Sequence, residues 1–294
     1  MQYLAPKTVL ELLKPVTWFP PMFAFIFGVV SSGRPVQERW LFVLAGILLT
    51  GPLVCGTSQA VNDWFDRHVD AINEPNRPIP SGRMPGQWGY YIALLWSVLS
   101  LCVAAALGQL VFYAALFGLV LAWAYSAPPF RLKQNGWWGN AAVALCYEGL
   151  PWFTGATVMS GALPGWQILT VAGLYSLGAH GIMTLNDFKS VEGDAQLGVR
   201  SLPVQLGVNP AARLACVVMA VPQIIVAALL VHAERPLHAI VIAALLLTQF
   251  ALMVRLLANP RQRAVWYSGF GVGLYVLGML VSALALRPVL PEVM

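Results

Sequence analysis

The sequence contains little charge. Only 10% of its 294 residues are Asp, Glu, Lys or Arg, whereas 59% are apolar. Soluble globular chains have about a quarter of their residues charged. The shortage of charge therefore argues against a soluble protein and indicates an integral membrane protein.

Cysteine is scarce as well, and its placement excludes two further classes of protein. The chain has four cysteines, Cys55, Cys102, Cys146 and Cys216, and each lies within an apolar run. None belongs to a C-x-x-C pair. This pattern argues against a disulfide framework or a zinc site, and it predicts small buried apolar residues instead.

Apolar runs long enough to cross a bilayer, about 20 residues each, occur nine times. They lie at approximately 16–32, 41–61, 89–107, 110–126, 138–160, 166–186, 211–231, 237–257 and 266–286. Residues 1–15 have no apolar core, so we expect no cleavable signal peptide. We predict an all-α integral membrane protein: one domain over residues 1–294, a bundle of nine transmembrane helices with active-site loops after helices 2 and 6.

The basic residues are divided unevenly between the two sides of this bundle. The side with the N-terminus and the loops after spans 2, 4, 6 and 8 holds 13 of the 17 Lys and Arg residues. Because cytoplasmic loops are enriched in Lys and Arg, we expect the N-terminus and the active site on the cytoplasmic side of an inner membrane. This topology and contact with anionic lipid account for the net charge of +5, so no nucleic-acid partner is predicted.

Two acidic motifs stand at the ends of the second and sixth spans. The first is NDWFDRHVD at residues 62–70, and the second is NDFKSVEGD at residues 186–194. Each residue of the second motif follows its counterpart by 124 positions, and Ser190 stands in the place of Asp66. Two copies in register indicate an internal duplication, and they favour a function over an acidic helix end that simply reaches water.

The spacing within the first motif predicts a row of oxygen ligands. If span 2 continues as a helix past Asn62, the side chains of Asn62, Asp66 and Asp70 form one stripe along it. Carboxylates packed this closely repel one another unless cations neutralise them. Hard oxygen ligands suit Mg²⁺, which also binds substrate phosphates.

The second motif repeats the pattern less completely. Asp187, Ser190 and Asp194 follow spacings of three and four, which would again place them on one helix face. We predict that the two motifs together hold Mg²⁺ against a diphosphate, with the first motif the stronger metal site. The predicted metal ligands are Asn62, Asp66, Asp70, Asp187 and Asp194, and the four aspartates among them are also the predicted catalytic residues.

A diphosphate also requires positive charge from the protein. Arginine grips phosphate with two N–H groups, whereas lysine acts as a point charge. Each base taken singly is better explained as an anchor at the cytoplasmic face than as a phosphate ligand. The predicted diphosphate-binding residues are Arg67, Arg77, Tyr125, Arg131, Lys133, Asn186 and Lys189.

Longer stretches around these motifs resemble a known family. NDWFDRHVDAINEPNRPIPSG, YSAPPFRLKQNGWWGN and GAHGIMTLNDFKSVEGDAQLGVRSLP are similar to UbiA-type intramembrane prenyltransferases, most of all to their (bacterio)chlorophyll synthase branch. The resemblance covers nearly the whole chain. Family members bind Mg²⁺ and diphosphate through residues at the positions of Asn62, Asp66 and Asp70. Many carry Asp at the position of Ser190 and Lys at that of Pro129, and this chain departs from both.

The resemblance implies an enzyme and its substrates. A geranylgeranyl or phytyl group would pass from its diphosphate to the 17-propionate carboxylate of (bacterio)chlorophyllide a, with Mg²⁺ assisting ionisation and the carboxylate attacking. The products would be (bacterio)chlorophyll a and diphosphate. The implied partners are the prenyl diphosphate, the pigment, the lipid bilayer and other proteins of the pigment pathway.

Two ionisable residues inside the spans are candidates for contacts with the pigment. His180 precedes Asp187 by seven residues, so its side chain should face the second motif. Glu148 lies near the middle of the fifth span, where an acid is costly and therefore suggests a role. For each of them, a hydrogen bond to a neighbouring helix is the alternative.

Two other functions are consistent with the motifs. A prenyltransferase that acts on a quinone precursor or another aromatic acceptor would use the same metal site. A cation transporter lined by acids belongs to a different class. Transporter sites lie near the bilayer midplane, whereas these acids gather at one face, which argues against transport.

Overall fold

The computed structural model describes residues 4–287, so the ends of the predicted 1–294 domain, residues 1–3 and 288–294, lie outside the described residues. Within the described range the regular secondary structure is helical, apart from one isolated bridge between Asn135 and Arg200. The helices are α1 (Pro6–Leu13), α2 (Phe19–Ser31), α3 (Trp40–Asn73), α4 (Trp88–Leu107), α5 (Gln109–Ser126), α6 (136–160), α7 (Trp166–Asp187), α8 (Val191–Gln196), α9 (Leu202–Leu206), α10 (Val208–His232), α11 (Pro236–Ala258) and α12 (Pro260–Ala285).

Seven of the described helices are long and apolar enough to cross a membrane: α3, α4, α5, α7, α10, α11 and α12. The segments Pro6–Thr17 and Phe19–Ser31 meet at an angle of 57° and make an eighth span if they count as one. The predicted all-α class is thus confirmed. Of the nine predicted spans, the first coincides with this bent pair and the fifth with α6.

Helices α3 and α6 each contain a wider, π-helical turn at or next to a proline. In α3 the segment Leu49–Cys55, which contains Pro52, is π-helical. In α6 the segment Leu145–Gly149 is π-helical and stands just before Pro151. Proline offers no N–H to the carbonyl four residues earlier, so the turn before it opens. Each helix nevertheless continues, as the apolar pattern predicted.

The outer faces of the long helices are apolar and exposed. Leu95, Val98 and Leu247 are 52%, 57% and 67% exposed, respectively. A soluble monomer rarely presents a contiguous apolar surface of this kind. We therefore treat these faces as the surface that contacts lipid.

Helices α2 and α6 approach each other backbone to backbone. A Cβ atom on Gly28 would lie 2.0 Å from the carbonyl oxygen of Trp152, and one on Gly155 would lie 2.0 Å from that of Phe25. No side chain fits at these distances, so both positions require glycine. The contact fixes α6, which forms one wall of the site.

Gly155→Ala is expected to destabilise the protein by about 1–3 kcal/mol, because the added methyl group must push α2 and α6 apart. Thermal unfolding in detergent measures the effect. Gly173→Ala on α7 is the matched control, since its Cβ would meet nothing within 4 Å and alanine favours a helix over glycine. Equal Tm values for the two variants would contradict the close contact.

The two acidic motifs differ in backbone structure. Helix α3 includes all of residues 62–70, which confirms the predicted stripe. Helix α7 ends at Asp187, and Ser190 is the residue that precedes α8. The prediction that Asp187, Ser190 and Asp194 share one helix face was therefore wrong. The chain turns between them because Phe188 packs into the core and the Ser190 N–H bonds to the Asp187 carbonyl.

Candidate active site

A cavity of about 380 Å³ lies at the end of the bundle where α3, α5 and α7 finish and α6 begins. We call it the polar cavity. All five predicted metal ligands line it, Asn62, Asp66, Asp70, Asp187 and Asp194. Three of the predicted diphosphate-binding residues line it too, Tyr125, Arg131 and Lys133. Two motifs that lie 124 residues apart in the sequence thus face one space.

The α3 wall of the polar cavity is held by hydrogen bonds along the predicted stripe. The Asn62 side-chain amide donates to Asp66 Oδ2 at 2.9 Å and to the Ser126 hydroxyl at 3.2 Å. This second bond joins α3 to the end of α5. Asp66 consequently presents its other oxygen, Oδ1, to the bases that follow α5.

Those bases are Lys133 and Arg131. The Lys133 ammonium donates to Asp66 Oδ1, and Arg131 Nη2 lies 3.9 Å from the same oxygen. Burial lowers the pKa of Lys133, and the Asp66 carboxylate opposes that shift. The chain can turn back towards α3 because Arg131 adopts a left-handed conformation, with φ at 38°. Lys133 therefore reaches the motif although it follows Pro129, the position at which the resemblance implies a lysine, by four residues.

A second group of charges, which does not line the polar cavity, pairs with Asp70. Asp63 is 1% exposed, and its Oδ1 lies 2.6 Å from Lys14 Nζ and 3.4 Å from Arg77 Nη1. Arg77 Nη1 also lies 2.8 Å from Asp70 Oδ2. Arg77 thus contacts the first motif directly, and Asp63 helps to hold Arg77 in place. No local pattern indicates a role for Lys14, because its partner lies 49 residues away.

The second motif is held by residues of α6 and by its own turn. The Asn140 side-chain amide donates to Asp187 Oδ2 at 3.2 Å and to the Thr184 hydroxyl at 3.3 Å. The Ser190 hydroxyl donates to Asp194 Oδ2 at 3.1 Å. Sequence reasoning missed Asn140, although a polar amide near the start of an apolar span is a usable signal.

The loop after α5 is joined to the loop after α7. The Arg200 N–H donates to the Gln134 carbonyl at 2.8 Å, and the Gly136 N–H donates to the Arg200 carbonyl at 2.8 Å. A Cβ atom on Gly136 would lie 2.6 Å from the Leu202 nitrogen, so this position requires glycine. The joined loops bring Lys133 and the second motif to the same cavity.

A second cavity of about 880 Å³ adjoins the polar cavity. We call it the wide cavity. Its walls come mainly from α2, α6, α7 and α12, and they include Phe27, Ile182, Val276 and Met279. Four residues line both cavities, Asn62, Tyr125, Asn140 and Asp187. These four residues form what we call the junction, where a polar compartment meets a largely apolar one.

Of the remaining predicted site residues, some line the wide cavity and others line neither cavity. Asn186, Lys189 and Glu148 line the wide cavity and not the polar one. Arg67 is directed elsewhere: its guanidinium donates to the Trp64 carbonyl at 2.7 Å and lies 4.2 Å from the centre of the Trp64 ring. The structure brings Arg67 to neither cavity.

His180 also lies away from the walls of both cavities. Its Nε2 is 3.2 Å from the Trp137 carbonyl oxygen, and its ring centre is 5.9 Å from that of Trp137. The structure therefore shows the alternative that the sequence left open, a hydrogen bond to the neighbouring helix.

The chain belongs to the UbiA prenyltransferase family, whose pattern matches residues 19–274. This membership agrees with the predicted enzyme class and argues against the transporter. The chain is 60% identical over 282 residues to the bacteriochlorophyll synthase 33 kDa chain of Cereibacter sphaeroides, covering 96% of this chain and 93% of that protein. It is 38% identical over 292 residues to the chloroplastic chlorophyll synthase of Oryza sativa, covering 95% and 76%.

Solved structures share the fold. A digeranylgeranylglyceryl phosphate synthase structure matches with a TM-score of 0.76 at 21% identity, over 95% of this chain and 98% of that one. A UbiA homolog from Archaeoglobus fulgidus bound to GPP and Mg²⁺ matches with a TM-score of 0.73 at 22% identity, over 91% and 99%. This likeness supports the arrangement of helices.

Proposed function

We propose that this protein esterifies (bacterio)chlorophyllide a with a geranylgeranyl or phytyl group taken from the corresponding diphosphate. The names of its relatives support the acceptor, since proteins 60% and 38% identical are called bacteriochlorophyll synthase and chlorophyll synthase. The acidic motifs and nearby bases support a diphosphate donor. This assignment favours a pigment over a quinone precursor as the acceptor.

The observation that carries the proposal is the junction. A junction of this kind lets one molecule place a charged group among cations while its apolar part stays out of water. The polar cavity suits the diphosphate, and the wide cavity, with about 880 Å³, is in the range of sites for large organic ligands. The bond that breaks and the bond that forms would both lie at Asn62, Tyr125, Asn140 and Asp187.

The donor set of the polar cavity fits Mg²⁺. It consists of carboxylate and amide oxygens, and within residues 4–287 no three His, Cys, Asp or Glu side chains converge to hold a metal by themselves. Mg²⁺ commonly takes one or two protein carboxylates and completes its shell with water and substrate phosphates. Asp66 and Asp70 would hold one Mg²⁺ against the diphosphate, and Asp187 and Asp194 would hold a second. When bound, Mg²⁺ would neutralise charge on the departing diphosphate.

The protein's own residues would contribute to both halves of the reaction. Lys133 and Arg131 would stabilise the negative charge that develops on the diphosphate as the allylic C–O bond breaks. The electron pair of that bond leaves with the diphosphate, and a carboxylate oxygen of the acceptor then bonds to the allylic carbon. A carboxylate is already ionised near neutral pH, so no general base is required.

We also propose a topology for the chain. The bent pair that ends in α2, together with α6, would cross the membrane along with the seven longer helices, giving nine spans in a single domain. The excess of Lys and Arg at the polar-cavity end supports a cytoplasmic active site and N-terminus in an inner membrane. The two motifs would descend from a duplicated four-helix unit.

A reconstituted assay tests the function. Purified protein with Mg²⁺, geranylgeranyl diphosphate and bacteriochlorophyllide a should yield a prenyl ester and an equal amount of diphosphate, identified by chromatography with mass spectrometry. The absence of ester, or equal turnover of 4-hydroxybenzoate, would refute the proposed acceptor. Phytyl diphosphate in place of the geranylgeranyl donor determines which donor is preferred.

A further inference from the structure

Glu148 is a buried acid that the proposed ester formation does not use. It is 8% exposed and lines the wide cavity. Within residues 4–287 its carboxyl group has neither an ion-pair partner nor a side-chain hydrogen bond. Buried ionisable groups are normally paired. An unpaired acid that faces a cavity therefore points to a ligand.

The local backbone directs Glu148 into this cavity. The residue belongs to the π-helical segment Leu145–Gly149, and such insertions often occur at functional sites. Asn140, Val143 and Tyr147 line the same cavity. One face of α6 thus runs from the junction to Glu148.

The position of Glu148 along α6 indicates which part of a ligand it would meet. Eight residues separate it from Asn140, which corresponds to a rise of about 12 Å along the helix. Asn140 bonds to Asp187 at the junction. An acceptor that reacts through its propionate at the junction would therefore reach Glu148 only with the remote side of its macrocycle.

The two candidate pigments differ at that remote side. In both molecules the ring ketone is adjacent to the propionate-bearing edge. Away from that edge, bacteriochlorophyllide a has a reduced ring B, and it carries an acetyl group where chlorophyllide a carries a vinyl group; only the acetyl group adds a hydrogen-bond acceptor. The acetyl carbonyl accepts a hydrogen bond, whereas the vinyl group does not.

We propose that Glu148 donates a hydrogen bond to the acetyl carbonyl of bacteriochlorophyllide a and so selects this pigment over chlorophyllide a. The inference rests on the proposed function. In an apolar wall without a neighbouring cation the neutral acid costs less than the carboxylate, and it has one O–H to donate. A vinyl group would leave that O–H without an acceptor, and sites built around a hydrogen bond discriminate against ligands that lack the partner.

Two variants test this inference. Glu148→Gln keeps an uncharged donor of similar shape, and Glu148→Met keeps the volume without a donor. The measurements are KM and kcat for both pigments at saturating geranylgeranyl diphosphate. Glu148→Met should raise KM for bacteriochlorophyllide a roughly tenfold, which is the value of about one hydrogen bond. Its KM for chlorophyllide a should not rise, and Glu148→Gln should stay within about threefold of the wild type for both pigments.

The internal comparison separates recognition from folding. A Tm equal to that of the wild type shows that Glu148→Met is folded, so a rise in KM for bacteriochlorophyllide a that Glu148→Gln does not share supports the inference. An equal loss with both pigments, or no change with either, would overturn it and leave the proposed function intact. A wild-type protein that esterifies neither pigment would overturn the proposed function and this inference together.

Discussion

Asp66→Asn is expected to lower kcat/KM for prenyl transfer by about 10³-fold. The substitution removes the charge of the carboxylate that lies between Asn62 and Lys133 in the polar cavity. If Asp66 holds Mg²⁺ against the diphosphate, the lost stabilisation is several kcal/mol, and each 1.36 kcal/mol corresponds to a factor of ten in rate. Initial rates of ester formation at varied Mg²⁺ concentrations measure the effect, and the Mg²⁺ requirement should rise at the same time.

Glu192→Gln is the matched control for Asp66→Asn. It removes the same charge from α8, but the Glu192 side chain is 67% exposed and pairs with Arg261 outside both cavities. Exposed pairs contribute little, so we expect activity within about twofold of the wild type. If Asp66→Asn were as active as this control while remaining folded, the charge of Asp66 would not be needed to hold the metal and diphosphate, which contradicts the account.

Lys133→Gln is expected to lower kcat by about 10²–10³-fold. This range is typical when one group that stabilises developing negative charge is removed from an active site. Lys133 is the base that contacts Asp66, and its side chain is 14% exposed. Single-turnover experiments with pre-bound donor separate this effect on the bond-breaking step from weaker substrate binding.

Arg67→Gln tests whether the position of a base matters or only its charge. Arg67 follows Asp66 in the sequence, yet its guanidinium lies on Trp64 and lines neither cavity. We expect activity within about threefold of the wild type, because this base acts as an anchor at the membrane face. Equal losses in Lys133→Gln and Arg67→Gln would show that the bases act only through overall charge.

The first motif shows how much of the site is predictable from sequence. A helical spacing of four fixes which side chains share a face, so the spacing alone groups Asn62, Asp66 and Asp70. The same rule failed at the second motif. There the chain leaves the helix after Asp187 because Phe188 packs into the core. Such packing depends on contacts with distant segments, which cannot be read from the spacing of residues along the chain.

The bases show a different limit of sequence reasoning. Composition and topology indicate Arg67 and Lys133 alike, because both are basic residues on the same side of the bundle. Only the turn at Arg131 and the pairing of the loop after α5 with Arg200 place Lys133 against Asp66. The pairing of Lys14 with Asp63 is likewise a long-range contact that no local pattern predicts.

The central claim is that the two acidic motifs hold metal and diphosphate together in the polar cavity. The most direct measurement is a crystal structure with Mn²⁺ in place of Mg²⁺ and a non-cleavable geranylgeranyl thiolodiphosphate, with the metal located by the anomalous signal of manganese. We predict metal bonded to Asp66 or Asp70, with stronger occupancy there than at Asp187 and Asp194, and a diphosphate oxygen beside Lys133. Metal found only at the second motif, or a diphosphate bound outside the polar cavity, would contradict the account.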